Sequence, residues 1–263
     1  MEQFGPLKVE VEDFIALVTL DRPPVNALDR FTLASIRDAF LSLEDRQDVR
    51  VAVFTGAGSR AFIGGADLND IDNTPQGLGQ PASDIVDRGR KARDAMWAIL
   101  DCPVPVIGAI NGPAIGAGVA FAGCCDILFA SETATFGTLE INVGLLGASA
   151  HLSMMVPRHK ARELFFLGEK MTAEEMHRYG SIRAVLPPDR LLAEAMDLAR
   201  KLAEKSPIAL RLAKQSMNRV EGKPLKEAYQ TEQDYTQRLM TFEDSLEARR
   251  AYLDKREPEW KWR

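Results

Sequence analysis

The chain has 263 residues, 46% of them hydrophobic and 27% charged, and its 33 basic and 38 acidic side chains leave a net charge of -5. That length suffices for one large domain, or a domain with an appendage, around a sizeable core, while the acidic balance argues against a general nucleic-acid or membrane surface. No stretch reaches the roughly 20 apolar residues of a membrane span.

Residues 1–6 have neither the basic start nor the apolar block of a signal peptide. With an odd count of three cysteines, Cys102, Cys124 and Cys125, the chain reads as reduced and cytoplasmic. Residues 7–20 read as two short strands about a Glu12-Asp13 turn. Pro23-Pro24 stops the sheet, and after Asn26-Ala27-Leu28-Asp29 the set Phe31, Leu33, Ile36, Ala39, Phe40 and Leu43 predicts the apolar face of a helix. A buried-type strand at 49–55 leads through 60–68 to a helix from about 84 to 100. A proline-punctuated strand at 104–110 turns through Asn111-Gly112-Pro113 into a helix after Gly116. Residues 73–81 are rich in breakers and read as a loop. Strands near 127–130 and 135–136 precede Glu140, and helices follow over about 149–167 and from the capping box opened by Thr172. After a short strand at 183–186 the signals are helical: 189–205 capped by Asp189, a helix opened by Ser206-Pro207, then 225–240 and 243–255. The expected division is a mixed α/β part, residues 1–199, and a helical C-terminal region, residues 200–263.

Gly116-Ala117-Gly118 opens a helix directly after a strand, where N–H groups have no helical partner and small residues let an oxygen approach the backbone. Taken alone, the same glycines suit close helix–strand packing. Gly64-Gly65-Ala66 offers a second bare stretch, so two N–H donors could meet at one carbonyl oxygen. Gly56-Ala57-Gly58-Ser59-Arg60-Ala61 matches a dinucleotide fingerprint, but Phe62-Ile63-Gly64-Gly65 interrupts any helix there, which argues against a nicotinamide cofactor. Cys124-Cys125 lacks a matching Cys/His pair at ligand spacing, so no metal site is expected. Glu140 lies among apolar residues, where desolvation raises a carboxyl pKa and makes it a usable proton carrier near neutral pH; the alternative is a solvent-facing loop carboxylate. His151 could hold a water or act as a second base, or be a packed structural residue. Asp67 suits a helix cap better than chemistry.

The segments AFIGGADL and NGPAIGAG, with RPPVNAL before them and FGTLEINVGLLG and YLDKREPEW after, together resemble the crotonase family of enoyl-CoA hydratases and isomerases, in order along essentially the whole chain. The resemblance implies an α/β spiral of ββα units with a helical C-terminal trimerisation region. It implies that the N–H groups of Ala66 and Ala117 hold a thioester oxygen and that Glu140 exchanges the proton at C2. It also places Ala27, Gly64, Gly65, Asp67, Leu68 and Gly116 at the substrate, and Tyr252 and Lys255 on the CoA adenine and phosphates, sometimes of a neighbouring subunit. The loop 73–81 would line the acyl pocket, an ordinary surface loop being the other reading. CoA enters as part of the substrate, with no metal or separate cofactor. Ala120 departs from the pattern, standing where two-glutamate hydratases carry a second carboxylate. Hydration of a 2-enoyl-CoA is the first expectation, with Δ3,Δ2-enoyl-CoA isomerisation and C–C bond hydrolysis or lysis as alternatives, the last able to use His151. An inactive CoA-binding paralogue would have no need of a buried acid at Glu140. The expected partners are an acyl-CoA thioester and further copies of the chain, as a homotrimer or dimer of trimers, with no nucleic acid and no membrane.

Overall fold

A computed structural model describes residues 1–72 and 82–263; the loop read over 73–81 lies outside the described residues. The first strands are β1 (Glu2–Phe4), β2 (Leu7–Glu12) and β3 (Ile15–Leu20), followed by α1 (Arg30–Leu41) and β4 (Val51–Gly56). Next come α2 (Leu68–Asp72), α3 (Ala82–Val86), α4 (Arg90–Leu100), β5 (Val106–Ile110), β6 (Ala114–Ile115) and α5 (Ala117–Gly123). Then β7 (Ile127–Ser131) and β8 (Thr135–Gly137) lead through a 3-10 turn, Glu140–Val143, to α6 (Ser149–Met155), α7 (Arg158–Leu167), β9 (Lys170–Thr172), α8 (Ala173–Arg178) and β10 (Ala184–Leu186). Four helices finish the chain: α9 (Pro188–Ala203), α10 (Pro207–Val220), α11 (Leu225–Met240) and α12 (Glu243–Asp254).

Two sheets organise these elements. The larger has the order β1-β2-β3-β4-β5-β7-β10 and the smaller β6-β8-β9. The β1-β2-β3 hairpins are antiparallel, whereas β3 onward pairs in parallel, with Val18 opposite Phe54 and Val53 opposite Ile107. Every residue of β4 and β5 is buried, which explains their unbroken apolar sequence: central parallel strands have no solvent face. One face carries the main core, including Phe40, Phe54, Phe62 and Phe121. The other is covered by α9, whose Leu191, Ala195, Ala199 and Ala203 pack onto Val51, Val53 and Ile107. The division expected near residue 200 lies within α9; a separate cluster, Ile208, Leu212 and Tyr235, begins with α10.

Several local details differ from the sequence reading. Phe31 is 66% exposed, because five residues before Ile36 it points well away from the buried stripe. The helix expected from about 84 is broken: α3 ends at Val86 and α4 starts after Gly89, with Asp87 bonded to Arg93. Pro157 splits the helix expected over 149–167, since the residue before a proline is driven out of helical geometry and Val156 is extended. Asp189 lies within the first turn of α9, with Pro187 at the cap position. The Thr172–Glu175 capping box is present, and Ser206 caps α10 by accepting from the Ala209 N–H at 3.2 Å. The strands β1, β6 and β9 were not anticipated; each has two or three residues and exists because a neighbour pairs with it.

The C-terminal helices are pinned to the sheet by Lys214 of α10, 4% exposed. Its Nζ donates to the Ile99 and Val104 carbonyls at 3.1 and 3.3 Å and to Asp126 Oδ2 at 2.8 Å, while Asp126 Oδ2 also takes the Val106 N–H at 2.6 Å. Removing one member of such a set leaves the others without a partner in low dielectric. Lys214→Ala is therefore expected to lower unfolding free energy by about 2–3 kcal/mol. Urea titration at fixed protein concentration checks this; a change below about 0.5 kcal/mol, the size of an ordinary surface substitution, would deny the pin its role.

Candidate functional site

The site grows from the ends of β4 and β5. After Gly56 the chain bends through residues 57–60 instead of opening a helix. Two asparagines hold this bend: Asn26 Nδ2 donates to the Ala61 and Phe62 carbonyls at 3.0 and 3.2 Å, and Asn111 accepts from the Gly56 N–H and donates to the Gly58 carbonyl at 3.1 and 2.8 Å. Residues 63–67 then run between two neighbours. On one side Ile63 bridges Ala114, and on the other Ala66 bridges Leu28. The Leu28 N–H donates to the Gly65 carbonyl at 2.8 Å and the Asp67 N–H to the Leu28 carbonyl at 2.9 Å. Peptide directions alternate along an extended segment, so the intervening Ala66 N–H faces away from Leu28.

The second donor is built differently. Gly116 has φ +56°, its N–H donates to the Gly137 carbonyl at 2.8 Å, and α5 begins at the next residue. The Ala117 N–H is thus in the first helical turn, with no intrahelical acceptor. A side chain at 116 would be disfavoured by its backbone and would also strike Glu140, whose Oε1 lies 2.7 Å from where a Cβ would stand.

Glu140 follows β8, and its carboxyl is held in a cavity of about 440 Å³ that Gly64, Gly65, Ala66, Gly116 and Ala117 also line. The remaining wall is apolar: Leu68, Met96, Ile115, Leu139, Val143, Leu145 and Leu146. Among the described residues, Glu140 is the sole ionisable side chain in this lining. Its Oε2 is buried without a hydrogen-bond partner. Burial pushes the carboxyl pKa above its usual value, with a bond to its own backbone N–H partly opposing the shift. A desolvated carboxylate beside two backbone donors can exchange a proton with a carbon acid whose oxygen those donors hold.

The structure brings Glu140, Ala66, Ala117, Gly64, Gly65, Leu68 and Gly116 together around one cavity. The other expected residues lie outside its lining. Asp67 accepts from Arg22 at 2.8 Å and from the Asn69 N–H at 3.1 Å, which makes it a cap and an ion-pair partner. Ala27 offers its carbonyl to Arg22 at 2.9 Å. His151, in the first turn of α6, packs its Cβ towards Gly123, and burial lowers its pKa. Tyr252, 84% exposed, and Lys255, which ends α12 with φ +53°, form no part of the cavity within one chain. Ala120 is buried in α5 and brings no polar group to it. The three thiols are unpaired, and burial raises their pKa, Cys124 to about 12. Among the described residues no helix is long and apolar enough to cross a membrane. Sequence reasoning missed Gly147 and Met96. A Cβ at 147 would lie 2.6 Å from Glu140 Oε1; this glycine ends the FGTLEINVGLLG segment, but the sequence does not show that it faces the carboxyl.

The family model Enoyl-CoA hydratase/isomerase matches residues 10–263. A (7aS)-7a-methyl-1,5-dioxo-2,3,5,6,7,7a-hexahydro-1H-indene-carboxyl-CoA hydrolase of Rhodococcus jostii (strain RHA1) is 35% identical over 246 residues, covering 94% of this chain and 93% of its own. A carnitinyl-CoA dehydratase of Salmonella arizonae is 32% identical over 251 residues, 93% of this chain and 94% of its own. The crystal structure of an enoyl-CoA hydratase/isomerase from Mycobacterium paratuberculosis superposes with a TM-score of 0.91 at 30% identity, over 99% of this chain and 100% of that one.

The raised pKa of Glu140 has a consequence for stability. Below the usual carboxylate range the group is protonated in both folded and unfolded chains and has no effect. As pH rises towards the raised folded value, the unfolded chain releases its proton first, so folding is progressively disfavoured. Relative to wild type, Glu140→Gln is expected to gain thermal stability across that window and to hold the gain at neutral pH. Melting temperatures of both proteins from pH 4 upward, on the order of one reading per half unit, test it; a wild type that gains on the variant as pH rises would reverse the sign.

Proposed function

This chain belongs to the enoyl-CoA hydratase/isomerase family, and on that premise we propose that it is an acyl-CoA enzyme that stabilises a thioester enolate, with hydration of a 2-enoyl-CoA as its reaction. The observation that carries the reading is Glu140, a carboxylate with a buried, unpartnered oxygen in an otherwise apolar cavity. In this reading the N–H groups of Ala66 and Ala117 hold the thioester oxygen, and one such donor is worth about 3 kcal/mol of barrier. Glu140 moves the proton at C2. Enolate formation at a thioester requires only a base and donors for the oxygen, so CoA enters with the substrate and no separate cofactor is invoked.

A second reading is favoured by Ala120, which is buried and by the family resemblance stands in place of the second carboxylate of two-glutamate hydratases. With one glutamate, proton removal and return by the same group performs a Δ3,Δ2-enoyl-CoA isomerisation. A hydrolase acting on a CoA thioester is supported by the Rhodococcus relative, named a hydrolase of a carboxyl-CoA, while C–C bond cleavage with His151 is disfavoured because His151 does not line the cavity. For CoA itself, Tyr252 and Lys255 would serve a neighbouring subunit. They are exposed at the end of α12, and Leu225, Met240 and Leu246 leave apolar surface on the same helical region. A homotrimer or dimer of trimers would cover such surface.

Glu140→Gln is expected to keep acyl-CoA binding and to lose about 10²- to 10⁴-fold in turnover. Rates of product formation and of C2 proton exchange in deuterated water measure this, and near-wild-type rates would remove Glu140 from the mechanism. On the same substrates, solvent oxygen at C3 marks hydration and a shifted double bond without added water marks isomerisation. Sedimentation velocity at micromolar concentration should find a trimer or its multiple; a monomer would refute the proposed assembly.

A further inference from the structure

The direction of the Ala66 N–H depends on a short pairing: a single bridge between Leu28 and Ala66, closed by the Leu28 and Asp67 N–H groups. With the Gly64 N–H donating to the Val25 carbonyl at 2.9 Å, three backbone bonds in all join these two irregular segments. A side-chain constraint that reaches both sides of the Leu28–Ala66 bridge is the guanidinium of Arg22. Its Nη1 donates to the Ala27 carbonyl at 2.9 Å, and its Nη2 donates to Asp29 Oδ2 at 2.9 Å and to Asp67 Oδ2 at 2.8 Å. Ala27 and Asp29 flank Leu28 on one side of the bridge; Asp67 follows Ala66 on the other. The same two carboxylates accept backbone N–H groups at helix starts, Asp29 from Thr32 at 2.7 Å and Asp67 from Asn69 at 3.1 Å. Arg22 is itself fixed, its N–H donating to Asn26 Oδ1 at 2.9 Å while Asn26 Nδ2 bonds the Ala61 and Phe62 carbonyls.

We propose that Arg22, through Asp67, is a positioning residue for the Ala66 oxyanion donor, an inference that rests on the oxyanion role read for that N–H. A planar fork with several fixed donors spans a carbonyl and two carboxylates at once, which the single ammonium of lysine does not reproduce. The side chains are part-exposed, 28% for Arg22, 25% for Asp29 and 19% for Asp67. Such pairs add little to global stability. Their effect falls on geometry, to which an oxyanion donor is sensitive: a misplacement of about 1 Å costs on the order of 10²-fold in rate.

The test uses the whole chain as wild type, Arg22→Gln, Arg22→Lys and Asp67→Asn, with two probes. Binding of cinnamoyl-CoA reports polarisation of the thioester carbonyl as a red shift of its absorption, and hexanoyl-CoA in deuterated water reports exchange at C2. The inference expects folded Arg22→Gln to bind cinnamoyl-CoA within about threefold of wild type, to lose most of the red shift, and to exchange about 10²-fold more slowly, with Arg22→Lys restoring only part. If Arg22→Gln does not fold, Asp67→Asn, which keeps an oxygen for the Asn69 N–H and loses the charge facing Arg22, carries the same comparison. A full red shift and wild-type exchange in a folded variant, even one with a lower melting temperature, would overturn the positioning role while leaving the oxyanion reading intact. A wild type that binds cinnamoyl-CoA with no red shift would overturn that reading and this inference with it.

Discussion

A half-buried carboxylate with no cation beside it among the described residues of its cavity is the constraint around which this site is arranged. An ionised group in low dielectric is costly unless paired, and Glu140 has an apolar wall, two glycines at van der Waals distance and a buried oxygen with no partner. A side chain at Gly116 or Gly147 would displace the carboxyl, which occupies the space it would fill, and the φ of +56° at Gly116 favours glycine there in any case. Asp67, a few residues from the same cavity, shows the opposite treatment: the hydrogen bond from Arg22 holds its pKa below the usual value. One carboxylate is stabilised as an ion and serves as scaffold. The other is destabilised as an ion, as the proton-transfer role proposed for it requires.

The scaffold delivers the two backbone donors by different means. Ala117 depends on a sheet-to-helix junction, with β5 fixing where the chain leaves the large sheet and the Gly116–Gly137 bond fixing where it enters α5. Ala66 lies in residues 57–67, which form no long strand or helix and are held by short backbone bridges to Leu28 and Ala114 together with the side chains of Asn26, Asn111 and Arg22. Lys214 and Asp126 connect the C-terminal helices to the start of β5, so this strand is braced at the end remote from the site.

An apolar cavity with one acid limits the chemistry open to it. In the proposed mechanism proton transfer to and from C2 uses Glu140 alone, whereas hydration also needs a positioned water, and Ala120 supplies no group to hold one. The donors for that water would have to come from the substrate, from the backbone or from Glu140 itself. The apolar wall strengthens the electrostatic contribution of both N–H donors by lowering the local dielectric.

Much of the architecture was legible in the sequence because it depends on neighbours close along the chain. The unbroken apolar runs of β4 and β5, the Thr172 capping box, the Ser206-Pro207 helix start and the glycines beside Ala66 and Ala117 each reveal themselves within a few residues. So did Glu140, through its apolar flanks and the ordered motifs around it. Tertiary structure alone decided the rest. Arg22 meets Asp29 seven residues away and Asp67 forty-five residues away, and no local pattern announces either bond. Gly147 matters only because the fold turns it against Glu140, and His151 stands off the cavity because α6 packs it towards Gly123. Hydrophobic periodicity and turn chemistry are short-range and can be read in a window of residues, whereas an ion pair, a void or a desolvated charge is fixed by groups that become neighbours only once the sheet has paired and the helices have packed.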